Sequence, residues 1–249
     1  MSKISDALDK ADRERRAREE TGAPEPRQRP ELGPPLSRGV PEAFWRELGI
    51  MRNLVESHLP SKKSRSLMLT SAAVGEGVSS VTANFGKVLA DDPSVNVLVV
   101  DANPEAPVQH ELFGVENGRG FVELAGGSLR PEEAVRETVR KNLCVITSGT
   151  VAGGKFQPAG TERVPGILNT LQARFNYLLF DAPPVLSHAE TAVLGSHVDG
   201  VLLVVRALNT RREAAARARD ALAKSGCNVI GVVLNRYKYS IPEFIYRRV

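Results

Sequence analysis

Thr70-Ser-Ala-Ala-Val-Gly-Glu-Gly-Val-Ser-Ser80 decides the fold of this chain. An apolar run, Leu67-Met-Leu69, leads into it, and a helical pattern beginning near Ser79 leads out. A phosphate-binding loop reads G-x-x-x-x-G-K-[ST]: backbone N–H groups wrap the phosphates, the lysine reaches the terminal ones, and the hydroxyl holds Mg²⁺. Here Ala72 stands at the first position, Gly77 at the second, Val78 where the lysine belongs and Ser79 at the metal position. The loop is legible and its cation is missing, so ATP turnover does not follow from the loop alone.

Outward from the loop, apolar segments alternate with helical ones. The expected order is helix 42–57, strand 66–71, loop, helix 79–90, strand 95–101, short helices near 118–125 and 131–139, strand 142–147, helix 161–174, strand 177–181, helix 188–195, strand 199–206, helix 210–225 and strand 228–234. Val97-Leu-Val-Val100, Tyr177-Leu-Leu-Phe180 and Val201-Leu-Leu-Val-Val205 are continuous apolar runs. Such runs belong to parallel strands covered on both faces, and their alternation with helices predicts an α/β fold with a doubly wound, mostly parallel sheet. Ligands of such sheets bind beyond the carboxyl ends of the strands, where Ser71, Asp101 and Asp181 all fall.

The 249 residues, 42% apolar and 25% charged, suit one α/β domain with appendages. Residues 1–20 read as an amphipathic helix with a basic end, and the six prolines of 21–41 as an extended linker. The phosphate-loop domain then runs over 42–236 and a tyrosine-containing tail over 237–249. A net charge of +4 is too mild to call for nucleic acid. Cys144 and Cys227 lack paired spacing and read as buried free thiols of a reducing compartment. No apolar run approaches the ~18 residues of a membrane span, and the N-terminus has no apolar signal region, so the expected location is the cytoplasm.

Two apolar runs end in a carboxylate: Leu98-Val-Val-Asp101 and Leu178-Leu-Phe-Asp181, the second followed by Ala182-Pro-Pro184. A phosphate-loop NTPase needs an Asp at the end of a neighbouring strand for its Mg²⁺ shell. Taken singly, each Asp serves equally well as a strand-end or helix-capping residue. Together, after such a loop, they point to a nucleotide site.

With Asp199-Gly-Val-Leu-Leu-Val-Val205 and Gly231-Val-Val-Leu-Asn-Arg236 added, the ordered motifs from Glu42 onward resemble the bacterial tyrosine kinases of capsule and exopolysaccharide synthesis, relatives of the septum-positioning and partition ATPases. Met1–Ala11 also looks like the start of soluble versions associated with exosortase-type loci. The resemblance implies ATP/ADP and Mg²⁺ held by the loop Gly75, Glu76, Gly77, Val78, Ser79 and Ser80. It implies metal at Ser79, Asp101 and Asp181, and chemistry at Asp101 and Asp181. Asn235 falls where related ATPases contact the base, though it serves equally as a strand-ending turn residue. Tyr237, Tyr239 and Tyr246 match the family's autophosphorylated tail; the alternative is an apolar flap on the domain.

The departures from the family pattern cluster at the chemistry. Val78 replaces the lysine, D-x-D-x-R becomes Asp101-Ala-Asn103-Pro-Glu105, and the hydroxyl residue after Asp181 is Ala182. Glu42-Ala-Phe-Trp-Arg-Glu-Leu48 lacks the spacing that builds the family's ring interface, so a homo-oligomer stays open. A lysine on phosphate is worth about 1.5–3 kcal/mol of binding, and its larger duty is to stabilise charge on the transferring group. Lys87 points away by helical periodicity, Lys62 and Lys63 sit at the wrong strand end, and Lys155 follows the strand of Cys144. The expected function is therefore a catalytically impaired kinase-like regulator of exopolysaccharide polymerisation and export. Its partner would be a membrane polysaccharide co-polymerase, of the chain-length-regulator type, or an active tyrosine kinase, which would place it at the inner membrane through that partner. The alternatives are an active tyrosine autokinase with a substitute cation and a partition-type ATPase; Ala72 and Ala73 lack the latter's early lysine. The N-terminal helix reads as a docking helix or a solvated arm, His58, His110, His188 and His197 as surface or capping residues, and Trp45 as an anchor for the first helix.

Overall fold

A computed structural model describes residues 42–59, 62–150 and 162–236. The expected N-terminal helix, proline-rich linker and tyrosine tail lie outside the described residues, as does Lys155.

The described elements are α1 (Glu42–His58), β1 (Arg65–Ser71), α2 (Val78–Leu89), β2 (Val97–Asp101), α3 (Gln109–Phe113), α4 (Phe121–Ala125), α5 (Pro131–Ala134), β3 (Arg136–Glu137), β4 (Leu143–Ile146), α6 (Val164–Gln172), β5 (Tyr177–Asp181), α7 (Ala189–Ser196), β6 (Gly200–Arg206), α8 (Arg212–Lys224) and β7 (Val229–Asn235). The sheet order is β3-β4-β2-β5-β1-β6-β7, with only β3 antiparallel among the described strands. The expected mostly parallel, doubly wound sheet is what the chain forms.

Successive strand residues point to opposite faces, and this alternation builds two cores. Met68, Leu98, Val100, Ile146, Leu178, Phe180 and Leu203 pack on one face against Leu168 and Leu171 of α6, Ala192 of α7 and Leu222 of α8. Leu67, Leu69, Val97, Val99, Leu179 and Val204 pack on the other against Met51 and Val55 of α1 and Val81 and Phe85 of α2. Trp45 packs against this second core, as expected of an anchor for α1. Cys144 and Cys227 are both buried and free.

Two segments depart from the sequence reading. The helix expected over 131–139 ends after Ala134, where Val135 turns extended (φ −72°, ψ 126°) and Arg136–Glu137 pairs with β4 instead. Val135, Thr138 and Val139 are β-branched and hold a helix poorly, and the Thr138 hydroxyl donates to the Leu143 carbonyl at 2.7 Å. The helix α3 carries no local signal. Its opening amides, Val108 and Gln109, are capped by the carboxylate of Asp101, 3.0 Å from each and lying seven and eight residues upstream.

Candidate nucleotide site

The loop between β1 and α2 closes through backbone conformations that glycine supplies. Gly75 (φ +84°) and Gly77 (φ +89°) are both left-handed. Glu76 is 2% exposed; its carboxylate accepts the amides of Ala72 (2.9 Å) and Ala73 (3.3 Å) and the Thr210 hydroxyl. Glu76 thus braces the loop from within. Asn235, at the end of β7, donates from Nδ2 to the Glu76 carbonyl at 2.8 Å and accepts the Arg236 amide, so it ties the last strand to the loop. Beyond Gly77, α2 opens with Val78, Ser79 and Ser80, and the first turn of a helix presents N–H groups without intrahelical partners, a favourable setting for anions.

A pocket of about 300 Å³ lies over this turn, lined by residues 73–80 and by Asn103, Glu105, Asp181, Pro184 and His188. Val78 is 8% exposed and belongs to the apolar cluster under α2. The position that would carry the loop's lysine thus contributes packing and no charge. Lys87 lies with Nζ 5.8 Å from the Phe113 ring, and Lys62 pairs with Asp199 at 2.8 Å before β6, at the opposite ends of the strands. Both were expected to miss the site, and both do. Among the described residues no lysine or arginine lines the pocket.

Asp101 and Asp181 are register partners on β2 and β5, and both are buried. Asp101 accepts three amides, from Asn103 (3.1 Å), Val108 and Gln109, and underpins the segment that carries Asn103 and Glu105. Burial raises its pKa above the ordinary carboxylate range, against the pull of those amides. Asp181 reaches the pocket. Burial, and next the Asp101 charge, push it up to about 7, while the Gln109 side chain and the Ser79 hydroxyl pull the other way. Its Oδ2 accepts Gln109 Nε2 at 2.7 Å, and its buried Oδ1 has no hydrogen-bond partner. An unpartnered buried carboxylate oxygen and the Ser79 hydroxyl on the same pocket fit a Mg²⁺ ion, a hard cation that takes oxygen ligands. Ser79 and Asp181 are the residues that would hold it.

Gln109 was not visible as a site residue in the sequence. It is fully buried, and its Nε2 also donates to the Ser79 carbonyl at 3.1 Å. His188 is the second residue the sequence reading left out of the site. Expected only on the surface or as a cap, it stands at the N-cap of α7 without a side-chain cap bond; instead its Nε2 lies 3.0 Å from Glu105 and its Nδ1 3.2 Å from the Pro184 carbonyl. Burial opposes its charge, but the Glu105 carboxylate and that carbonyl prevail and hold its pKa above the ordinary histidine value.

No protein-family model matches the chain. The tyrosine-protein kinase YwqD of Bacillus subtilis (strain 168) is 31% identical over 190 residues, spanning 76% of this chain and 80% of that one. Among solved structures, the kinase domain of the Escherichia coli tyrosine kinase ETK superposes with a TM-score of 0.69 at 23% identity, over 80% of this chain and 79% of that one. The cell-division ATPase MinD of Pyrococcus furiosus superposes with a TM-score of 0.61 at 25% identity, over 74% and 78%. A relative of this identity and coverage, with a matching fold and the strand-end carboxylates in place, assigns the chain to the bacterial tyrosine kinase family.

Proposed function

We propose that this chain is a phosphotransfer-impaired member of the family, a regulator of exopolysaccharide polymerisation and export that works by docking to a membrane co-polymerase or to an active kinase. One observation carries the reading: Val78 is built into the apolar core where the loop's lysine would stand, and no other lysine or arginine among the described residues lines the pocket. Phosphoryl transfer is almost entirely positioning and electrostatic stabilisation, so a pocket short of cations loses the chemical step before it loses binding. Asn103 and Glu105, where the family carries a carboxylate and an arginine, weaken the same step. In this reading Ser79 and Asp181 hold Mg²⁺ with ATP or ADP, Asp101 positions the segment beside them, and Asn235 stands beside the loop where a base would lie. Tyr237, Tyr239 and Tyr246 would be phosphorylated in trans, and the partner would bring the chain to the inner membrane. No described helix is long and apolar enough to cross a membrane.

The test is incubation of the purified protein with Mg²⁺-ATP followed by phosphotyrosine detection. The expected result is no tyrosine phosphorylation. The proposal fails if the wild type autophosphorylates and Asp181→Ala does not. The family's active-kinase reading would then stand, with a cation supplied by Lys155 or a neighbouring subunit; the intact Ser79–Asp181 pair is what supports it.

A further inference from the structure

The nucleotide reading leaves the phosphate pocket with one described side chain that can be positive. His188 lines it from the segment that follows Asp181, where Pro183 and Pro184 set up the turn into α7. Its backbone amide donates to the Pro184 carbonyl at 3.1 Å, which holds the residue one turn beyond the strand end. The ring is surrounded by acceptors. Nδ1 faces the Pro184 carbonyl and Nε2 faces a Glu105 carboxylate oxygen. Both partners are acceptors, so the ring satisfies both at once when each nitrogen carries a hydrogen, and a ring with both protons is an imidazolium.

The two partners are held unequally. The His188 side chain is 14% exposed, whereas Glu105 is 65% exposed on the loop after β2. An exposed ion pair is a weak one, and its flexible member is free to swing away. A phosphate group brings more charge than a carboxylate and forms a charge-assisted hydrogen bond with the same nitrogen. The charged groups that act on the ring are Glu105 and Glu190 of its own helix, and Asp181 at the end of β5 lines the same pocket; all are acids.

We propose that His188 is the phosphate-binding cation of this pocket, an imidazolium parked on Glu105 that exchanges that carboxylate for a phosphate oxygen of a nucleoside di- or triphosphate. The inference rests on reading the pocket as a nucleotide site and names the group that does part of the missing lysine's work there. Binding then depends on pH: it is strong while the ring is protonated and weakens as pH rises through the ring's pKa, which lies above the ordinary histidine value. Glu105 acts as a placeholder that keeps the ring charged until an anion arrives.

The test is calorimetric titration of the full chain with ADP in EDTA, at about pH 6 and about pH 8.5, on either side of histidine titration. Wild type is expected to bind about tenfold tighter at the lower pH, the effect of one charge-assisted hydrogen bond. His188→Asn should lose that pH difference and bind weakly throughout. Asp181→Asn should keep a His188-dependent difference, which separates the ring from the nearby carboxylate. Glu105→Gln, an exposed change, should bind more tightly at low pH and move the midpoint to lower pH, so the idea stays testable even if His188→Asn folds poorly. Wild-type affinity and pH difference in folded His188→Asn would overturn it, as would no ADP binding at either pH. Neither result bears on phosphotransfer impairment, which the phosphotyrosine assay decides alone.

Discussion

Gln109 joins the two strand-end carboxylates: its backbone amide donates to Asp101 at 3.0 Å and its side-chain amide to Asp181 at 2.7 Å. Asp101 is saturated with backbone donors, whereas Asp181 has the neutral side chains of Gln109 and Ser79 beside it and one oxygen without a hydrogen bond. Two carboxylates in register on neighbouring strands cannot both ionise without penalty in a buried setting. The one better supplied with donors keeps its charge more readily, and the other waits for a cation. This asymmetry makes Asp101 a positioning group and leaves Asp181 with an oxygen open to a cation.

The pH dependence of stability follows from that asymmetry. The pKa of Asp181 rises from an ordinary 3.8 to about 7 in the folded chain. The folded state therefore holds a proton that the unfolded state releases, and stability falls as pH climbs through that window, levelling off above it. Asp181→Asn removes the charge and keeps the shape. Thermal unfolding without nucleotide or metal should show the variant gaining on wild type between pH values below and above that window, by on the order of 4 kcal/mol. Mg²⁺ should restore wild-type stability at the higher pH and leave the variant unmoved. Parallel wild-type and variant curves would show that Asp181 stays charged in the fold.

Much of this site could be read in the sequence, and the unread part has a physical reason. Continuous apolar runs ending in Asp placed Asp101 and Asp181 correctly, because strand ends are local features. The contact of Gln109 with Asp181 joins residues 72 apart in sequence, and that of His188 with Glu105 crosses between the ends of two different strands. Neither leaves a periodic trace, since both exist only once β5 lies beside β2. The helix α3 was hidden likewise: its cap is a side chain from the preceding strand, and Pro104 and Pro107 mask its start.

Restoring the lysine tests how intact the remaining cradle is. Val78 is buried, so Val78→Lys must run its aliphatic stem along the apolar cluster and deliver the ammonium to the pocket, as long cationic side chains can. The expected result is Mg²⁺-ATP binding tighter by about 1.5–3 kcal/mol in calorimetry, with a stability loss of about 1 kcal/mol from the displaced packing. A folded variant with unchanged affinity would mean that the loop no longer presents its amides to phosphate.

Gly77 and Asn235 are coupled by contact. A Cβ on Gly77 would run into Asn235 Nδ2, the atom that donates to the Glu76 carbonyl, and Gly77 also holds φ +89°, a conformation that L side chains rarely adopt. Gly77→Ala therefore carries two penalties, backbone strain and displacement of Asn235, together about 2–4 kcal/mol. Asn235→Ala alone loses the bond to the Glu76 carbonyl, about 1 kcal/mol, while the exposed Arg236 amide that it also bonds turns to water. In the double variant the collision is gone and only the backbone strain and the lost bond remain. Chemical denaturation should find it less destabilised than the sum of the single changes, with a coupling of about 1 kcal/mol, since contacting residues are not additive. Strict additivity would show that the strand end does not constrain the loop. The same variants report on nucleotide: if Asn235 only ties the loop, Asn235→Ala should weaken ADP and inorganic pyrophosphate alike, whereas a base contact would weaken ADP alone.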